Sequence, residues 1–250
     1  MKTNNLVSVI IPVYNAEKYI KATIESVKSQ THKHWEAIII DDKSTDNSVN
    51  MAKKYLNKKI KLIQNKKNIG AALSRNKGIK AAKGRYIAFL DSDDIWDSDK
   101  LKKQLEDINE KEVAFSFTDY IYADENAIPN GKIVHVPEVM SYKQALKNTT
   151  IFTSTVMFDT KYISKEQIYM PNVPSEDTAT WWKILKTGIN AFGLSKPLTV
   201  YRRPTNSLSS NKLTSIKRTW NLYRKQEGLS FFSSSYYFFF YCFNATKRRV

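Results

Sequence analysis

Features that would indicate a secreted or membrane-spanning protein are missing from most of this sequence. Cys242 is the only cysteine among 250 residues, so no disulfide can form within the chain, which is compatible with a reducing cytoplasm. The amino terminus shows no signal peptide with a cleavage site, and no long apolar run occurs before residue 229. A hydrophobic content of 42% is ordinary for a globular protein. We therefore expect a cytoplasmic globular chain.

Common nucleotide-binding loops are missing as well. The first apolar run, Leu6–Val13, is not followed by G-x-G-x-x-G, which argues against an NAD or FAD enzyme. The chain also contains no G-K-[ST] loop, which argues against a P-loop NTPase. A sugar-nucleotide pyrophosphorylase would carry a glycine-rich, basic first loop, which the segment Pro12–Glu17 does not provide. That nucleotidyltransferase stays open only as an alternative on a similar sheet.

Acidic residues are few compared with basic ones. Forty Lys and Arg against 24 Asp and Glu give a formal net charge of +16. Such a surplus favours polyanionic partners, namely nucleic acid, anionic lipid or phosphorylated ligands, although a lysine-rich surface can also reflect the composition of the host. The sequence contains no RNP, KH or zinc signature. We therefore expect no nucleic acid partner, and a basic nucleic-acid-binding protein is the alternative to an enzyme.

Continuous apolar runs alternate with helical patterns in the first 90 residues. Because these runs do not alternate apolar with polar residues, they are typical of strands buried on both faces. Strands separated by amphipathic segments predict a parallel, doubly wound sheet. The predicted strands are Leu6–Val13, Trp35–Ile40, Lys59–Gln64 and 85–90, and the predicted helices are Ala16–Gln30, 46–56 and Ala71–Ala82.

Polar residues follow three of these strands, and in a parallel sheet the three strand ends meet at one edge. Asp91, Asp93 and Asp94 are crowded after the fourth strand, and repulsion among them is unfavourable unless a cation, hydrogen bonds or water offset it. Hard cations such as Mg²⁺ or Mn²⁺ prefer such oxygen ligands. The pattern predicts a divalent metal with a phosphate-bearing ligand, and a solvated acidic turn that caps the next helix is the alternative.

The second half of the sequence is less regular. Strands are predicted at Val113–Tyr122, Thr153–Phe158 and Leu198–Tyr201, and Asn130-Gly131 is a hairpin signal within the polar segment Asp124–Pro137. A helix is predicted over Thr178–Thr187, directly after Ser175-Glu176-Asp177. Without further context, this acidic pair is typical of a helix amino terminus.

Five segments in this order resemble the family 2 inverting glycosyltransferases with the GT-A fold. Their resemblance extends from about residue 5 to about residue 205. One departure is Lys43, where many members of that family carry glycine. The segments are Val-Ser-Val-Ile-Ile-Pro-Val-Tyr-Asn at 7–15, Ile-Ile-Ile-Asp-Asp-Lys-Ser-Thr-Asp at 38–46, Asn-Ile-Gly-Ala-Ala-Leu-Ser-Arg-Asn-Lys-Gly at 68–78, Asp-Ser-Asp-Asp at 91–94 and Ser-Glu-Asp at 175–177.

The resemblance implies a GT-A fold: a mixed, doubly wound sheet with a Rossmann-like nucleotide-binding half (1–97), an acceptor half (98–205) and a C-terminal helical, aromatic extension (206–250). It implies a nucleotide-sugar donor, usually a UDP-sugar, Mg²⁺ or Mn²⁺ as cofactor, and a saccharide or lipid-linked acceptor in surface polysaccharide synthesis. The implied donor-binding residues are Pro12, Val13, Tyr14, Asn15, Glu17, Asp41, Asp42, Asn68, Arg75, Asn76, Asp91 and Ser92. Asp93 is the implied metal ligand, and Asp177 the implied catalytic base with Glu176 beside it.

The C-terminal residues change in character. Leu229–Phe243 is rich in Phe and Tyr and is flanked by basic residues, but at about fifteen residues it is shorter than the roughly twenty that span a bilayer. Aromatic and basic residues together are typical of a segment lying at an anionic membrane surface. We expect peripheral association with the inner face of the cytoplasmic membrane. A tail that packs on the catalytic domain, or a dimer contact, is the alternative.

Overall fold

The computed structural model describes residues 5–148, 150–203 and 212–247. Its strands are β1 (Val7–Val13), β2 (Trp35–Asp41), β3 (Ile60–Gln64), β4 (Tyr86–Phe89), β5 (Ile95–Trp96), β6 (Phe115–Ala123), β7 (Pro129–Val134), β8 (Val139–Met140), β9 (Met157–Asp159) and β10 (Ala191–Arg202). Its α-helices are α1 (Ile20–Lys28), α2 (Ser48–Lys53), α3 (Ala71–Ala81), α4 (Lys100–Lys111), α5 (Tyr142–Lys147), α6 (Lys165–Ile168), α7 (Glu176–Leu185), α8 (Lys212–Asn221) and α9 (Phe231–Lys247). A short 3₁₀ helix lies at Thr153–Thr155, and a π-helical turn lies at Leu222–Gln226.

The strands form one mixed sheet in the order β3-β2-β1-β4-β9-β6-β10-β5, with β7 beside β6 and β8 beside β10. β1 is parallel to β2 and β4, and β2 is parallel to β3, as the sequence predicts. β9 is antiparallel to both of its neighbours, so β6 and β10 run in the same direction as β1. The carboxyl ends of β1, β2, β4, β6 and β10 therefore lie along one edge, where ligands of such sheets bind.

Apolar side chains from the strands pack against helices on both faces of the sheet. Ile10 of β1 belongs to the hydrophobic cluster on one face, whereas Val9 and Ile11 belong to the cluster on the other face. This confirms the expectation that the non-alternating runs are buried on both sides. Trp181 and Trp182 of α7 are also fully buried, at 2% and 1% exposure, so they are core residues.

Two details differ from the sequence-based expectations. The hairpin turn lies at Asp124–Ala127, where the Ala127 N–H donates to the Asp124 carbonyl, while Asn130-Gly131 lies within β7. The Asp124 side chain also accepts from the Asn126 and Ile128 N–H groups, which explains why the chain turns there. The predicted strand at Thr153–Phe158 is mostly the 3₁₀ helix followed by the short β9.

The C-terminal helices pack partly on the rest of the molecule. The Tyr223 ring stacks on Trp182 with centroids 5.1 Å apart, and Leu222 is 2% exposed. These contacts correspond to the alternative of a tail packed on the domain. The predicted boundary between 205 and 206 lies outside the described residues. Across the described ranges, none of the helices combines the length and apolar character that a bilayer crossing requires.

Candidate active site

A cavity of about 410 Å³ opens at the carboxyl edge of the sheet. It lies where β1, β2 and β4 end, beside the amino terminus of α3. Most of the predicted donor-binding residues and the predicted metal ligand meet there, although they come from four separate parts of the sequence. The lining residues are Pro12, Val13, Tyr14, Asp42, Asn68, Gly70, Ala71, Arg75, Asp91, Ser92 and Asp93.

Asp42 is fixed by the loop between β3 and α3. Its Oδ1 accepts hydrogen bonds from Asn65 Nδ2 and the Ile69 N–H, both at 2.8 Å, and its Oδ2 accepts from the Gly70 N–H at 2.7 Å. The residue is 4% exposed. Since each carboxylate oxygen has two lone pairs, Oδ2 keeps one acceptor position for a ligand N–H.

Arg75 joins the cavity to α7. Its Nη2 lies 2.5 Å from Asp91 Oδ1, and its Nη1 lies 2.7 Å from Glu176 Oε1. Burial opposes the charge of this guanidinium, but the carboxylates of Asp91 and Glu176 outweigh that effect and raise the pKa of Arg75. Glu176 itself has a raised pKa, because burial and the nearby Asp177 charge outweigh the pairing with Arg75.

The three aspartates after β4 have different surroundings. Asp91 is paired with Arg75, while Asp94 is 1% exposed and accepts from Ser154 Oγ and the Arg202 N–H. Asp93 lines the cavity and forms no ion pair with a described residue. Burial, followed by the charge of Asp91, raises the pKa of Asp93 to about 6. A carboxylate in this position is suited to a cation.

The residues of the cavity are suited to a divalent metal that binds together with a phosphate-bearing ligand. Within the described part of the chain, no group of three or more His, Cys, Asp or Glu side chains is arranged to hold an ion. Asp93 offers one hard oxygen ligand, and the crowding that raises its pKa would be relieved by a divalent charge. Such an ion would take its other ligands from phosphate oxygens and water.

Asp177 lies at the start of α7, next to Glu176. Its Oδ2 accepts from Thr153 Oγ1 at 3.0 Å, and its Oδ1 accepts from the Thr178 N–H at 2.6 Å. Ser175, which precedes the helix, has a φ of 60°, a left-handed conformation that is uncommon for a residue with a side chain. The two hydrogen bonds hold the carboxylate in one orientation.

Four predicted donor-binding residues lie outside the cavity lining. Asn15 Oδ1 accepts from the Thr45 N–H, Glu17 Oε2 accepts from the Asn47 N–H, and Asp41 Oδ1 accepts from the Ser44 N–H. Asn76 exchanges two hydrogen bonds with the backbone of Met170, both at 2.8 Å. These polar groups stabilise the loops around the cavity.

Sequence reasoning missed some residues of the site. Gly70 and Ala71 line the cavity, and Thr153 contacts Asp177. Gly70 has a φ of 87° and caps α3, so the turn Asn-Ile-Gly before a helix is the signal that could have identified it. Thr153 carried no such signal, because it reaches Asp177 only through the fold.

Comparisons with known proteins identify the family of the chain. The model of the family described as Glycosyl transferase family 2 matches residues 8–166. TuaG of Bacillus subtilis (strain 168), named for teichuronic acid biosynthesis, is 46% identical over 248 residues, which are 98% of this chain and 98% of that protein. WfgD of Escherichia coli, named a UDP-Glc:alpha-D-GlcNAc-diphosphoundecaprenol beta-1,3-glucosyltransferase, is 39% identical over 218 residues, covering 87% of this chain and 85% of WfgD.

Solved structures share the fold. TarS of S. aureus in complex with UDP-GlcNAc superposes with a TM-score of 0.72 at 24% identity, covering 88% of this chain and 65% of that one. The mannosyltransferase PcManGT of Pyrobaculum calidifontis, in complex with GDP-Man and Mn²⁺, gives a TM-score of 0.70 at 17% identity, covering 90% of this chain and 64% of that one. The mixed sheet is thus that of GT-A glycosyltransferases, as expected. Because the family model covers most of the chain and full-length relatives share more than a third of its residues, the chain belongs to glycosyltransferase family 2 and is a glycosyltransferase.

Proposed function

We propose that this enzyme transfers a sugar, with inversion, from a UDP-sugar to a hydroxyl of a lipid-linked saccharide during synthesis of a bacterial surface polysaccharide. One observation carries the proposal: eight of the twelve predicted donor residues line a single cavity, and Arg75 connects that cavity to Glu176, next to Asp177. The names of TuaG and WfgD support the polymer class, the UDP donor and the lipid-diphosphate acceptor.

The donor is held along the carboxyl edge of the sheet. Asp42 accepts an N–H of the nucleobase with its remaining lone pair, and Tyr14, which is 52% exposed at the cavity rim, covers the base. Asp91 accepts from hydroxyl groups of the ribose or the sugar, since only Oδ1 is engaged by Arg75. The donor thus meets polar groups that are already fixed by the protein, which limits the entropy lost on binding.

Asp93 is the residue that would hold Mn²⁺ or Mg²⁺. A bound divalent ion supplies charge stabilisation to the departing diphosphate. The protein contributes a single carboxylate on the cavity wall, so phosphate oxygens and water have room to complete the coordination.

Asp177 removes the proton from the acceptor hydroxyl. Thr153 and the Thr178 N–H orient its carboxylate, and one lone pair on each oxygen stays available for the acceptor. Glu176 is engaged by Arg75 and serves to position that guanidinium. Attack by the activated hydroxyl on the face opposite the departing diphosphate inverts the anomeric centre.

We also infer that α9 rests on the cytoplasmic face of the membrane. Phe232, Tyr236, Phe239 and Phe243 recur at helical spacing and are 84%, 51%, 67% and 63% exposed. A stripe of large aromatic side chains facing water is unfavourable, and aromatic rings prefer the interface of a bilayer. The net charge of +16 complements anionic lipid headgroups. The lipid-linked acceptor would then lie at the same surface.

The function is tested by screening UDP-, GDP- and TDP-sugars for nucleotide release with Mn²⁺, with Mg²⁺ and with chelator. We expect release only from UDP-sugars and only with metal. Asp177→Asn should keep the Kd for UDP and lose about 10²–10⁴-fold in turnover, the usual contribution of a general base. Glu106→Gln on the exposed surface of α4 likewise converts a carboxylate to an amide and should leave turnover intact. Near-normal turnover of Asp177→Asn would remove that residue from its role.

A further inference from the structure

A second cleft lies beside the donor cavity. Lys18, Tyr19, Glu125, Asn126 and Arg202 line this cleft, whose volume is about 340 Å³. Arg202 ends β10 and Asn126 follows β6, whereas the donor cavity lies at the ends of β1, β2 and β4. The two clefts are therefore neighbours along the same edge of the sheet.

Arg202 is buried, but two nitrogens of its guanidinium group have no hydrogen-bond partner among the described residues. It is 5% exposed, its backbone N–H donates to Asp94, and its guanidinium carbon lies 5.1 Å from the centre of the Tyr19 ring. Its Nε and Nη1 find no hydrogen-bond acceptor within residues 5–148, 150–203 and 212–247. Leaving buried guanidinium N–H groups without acceptors is costly, so this side chain is prepared for an oxyanion.

The lining of the cleft carries two positive charges and one negative charge. Lys18 adds a second positive charge to the cleft, and Glu125 is the carboxylate in its lining. Burial lowers the pKa of Arg202, and the nearby charges of Asp93 and Asp94 offset only part of that lowering. A donor diphosphate near Asp93 would occupy the first cavity, and the second cleft continues toward the strands of the acceptor half.

We propose that the cleft between Lys18 and Arg202 binds the phosphoryl group of a phosphorylated acceptor. This rests on the proposed transferase function and adds a specificity site to it. The planar fork of Arg202 engages two phosphate oxygens, Lys18 neutralises further charge, and the acceptor sugar is thereby brought toward Asp177. Acceptors that lack phosphate lose this contact but keep their sugar hydroxyl.

The test compares the binding of decyl diphosphate and of decyl glucoside to the full chain saturated with UDP and Mn²⁺. Arg202→Gln should weaken decyl diphosphate at least about tenfold, as expected for losing a charge-assisted bidentate pair, and leave the decyl glucoside and UDP Kd within about twofold. Arg203→Gln is the matched control, because it removes the same charge from an exposed neighbour. Arg202→Lys, which keeps the charge but not the fork, should give an intermediate loss.

Several outcomes would overturn the proposal. If the wild-type chain with UDP bound does not bind decyl diphosphate, or if Arg203→Gln weakens it equally, the cleft is not a phosphoryl site. If Arg202→Gln weakens the binding of UDP as much as the binding of decyl diphosphate, Arg202 contacts the donor and the acceptor assignment is wrong. Failure of the wild-type chain to bind UDP would instead contradict the proposed function, so the two failures are distinguishable. Thermal melts of both Arg202 variants separate a binding loss from unfolding.

Discussion

Lys43 adopts a backbone conformation that side chains generally avoid. Its φ of 66° lies in the left-handed region, in the turn after β2 where many family 2 sequences carry glycine. The left-handed conformation costs a residue with a Cβ about 1–2 kcal/mol. Glycine avoids this cost, but its greater conformational freedom in the unfolded chain cancels part of the gain. The turn thus keeps its shape despite the substitution, and some strain stays in it.

Replacing Lys43 with glycine should stabilise the protein. We expect the free energy of unfolding to rise by about 0.5–1 kcal/mol, because the left-handed strain is relieved. Equilibrium urea unfolding measures this change. Lys43→Ala removes the same side chain but keeps the Cβ, so it should leave stability within about 0.5 kcal/mol of the wild type. A loss of stability in Lys43→Gly would contradict the explanation.

Asp93 should make the metal-free protein more stable as the pH falls. Its pKa of about 6 in the folded state lies above the ordinary 3.8, so the folded state binds this proton more tightly. Protonation of Asp93 therefore adds to the free energy of unfolding as the pH falls through about 6. This contribution is complete near the unfolded pKa of about 4 and amounts to about 1–3 kcal/mol.

Asp93→Asn tests this pH dependence. In the presence of chelator, the variant should melt at a higher temperature than the wild type at pH 7.5, and the difference should shrink toward pH 5. The same variant should lose metal-dependent nucleotide release. Glu106→Gln, at an exposed position of α4, serves as the control in both measurements. Equal melting temperatures of the wild type and Asp93→Asn at pH 7.5 would show that the ionised Asp93 carboxylate does not destabilise the folded protein.

The element that carries Arg75 depends on one close contact. A Cβ at Gly78 of α3 would lie 2.5 Å from Ile10 Cγ2 and 2.8 Å from Ile40 Cδ1. Only glycine therefore lets this helix approach β1 and β2 as closely as it does. The approach sets the position of Arg75 one turn earlier on the same helix.

Gly78→Ala should destabilise the protein and impair the site together. We expect a loss of about 1–3 kcal/mol from overpacking, together with a lower kcat/KM as α3 shifts. Lys80→Ala introduces the same residue at an exposed position of α3 and should change little. Urea unfolding and donor turnover report the two effects, and a fully stable Gly78→Ala would contradict the close packing.

The elements also show what the sequence could predict. The strands and helices up to β4 followed directly from apolar runs and their polar ends, because each run is buried locally by its own neighbours. The direction of β9 could not be predicted, because its three residues are specified by pairing with β4 and β6 rather than by a local pattern. Likewise, Asn130-Gly131 favoured a turn, but the side chain of Asp124 places it earlier.

The candidate site shows the same difference between residues identified by local sequence patterns and residues brought together only by the fold. Most of the cavity lining from Pro12 to Asp93 was implied by the resemblance to family 2 glycosyltransferases, although Gly70 and Ala71 were missed. The cleft at Arg202 was not predicted, because its residues come from the loop before α1, the β6–β7 turn and β10 with no shared motif. The hydrogen bond from Asn76 to the Met170 backbone could not be predicted either, because the two residues are distant in sequence.

On the scale of the whole molecule, the exposed stripe of α9 should determine how the protein binds vesicles. We expect the wild type to float with vesicles that contain anionic lipid, and the combined Phe232→Ser, Phe239→Ser and Phe243→Ser variant to partition at least about tenfold less. Ile128→Ser and Ile133→Ser together remove exposed apolar side chains from another part of the molecule and should not matter. Wild-type protein that stays out of all vesicles would remove the membrane assignment.

The pairing of Arg75 with both Asp91 and Glu176 has a consequence for protein engineering. Hybrid enzymes made by joining the first hundred residues of one family member to the remainder of another would keep the contact with Asp91 and could lose the one with Glu176. A buried guanidinium that loses one of its two carboxylates is less stable, even though Asp91 still pairs with it. Domain-shuffled hybrids of this chain should therefore be more stable where the incoming C-terminal piece supplies a carboxylate at position 176.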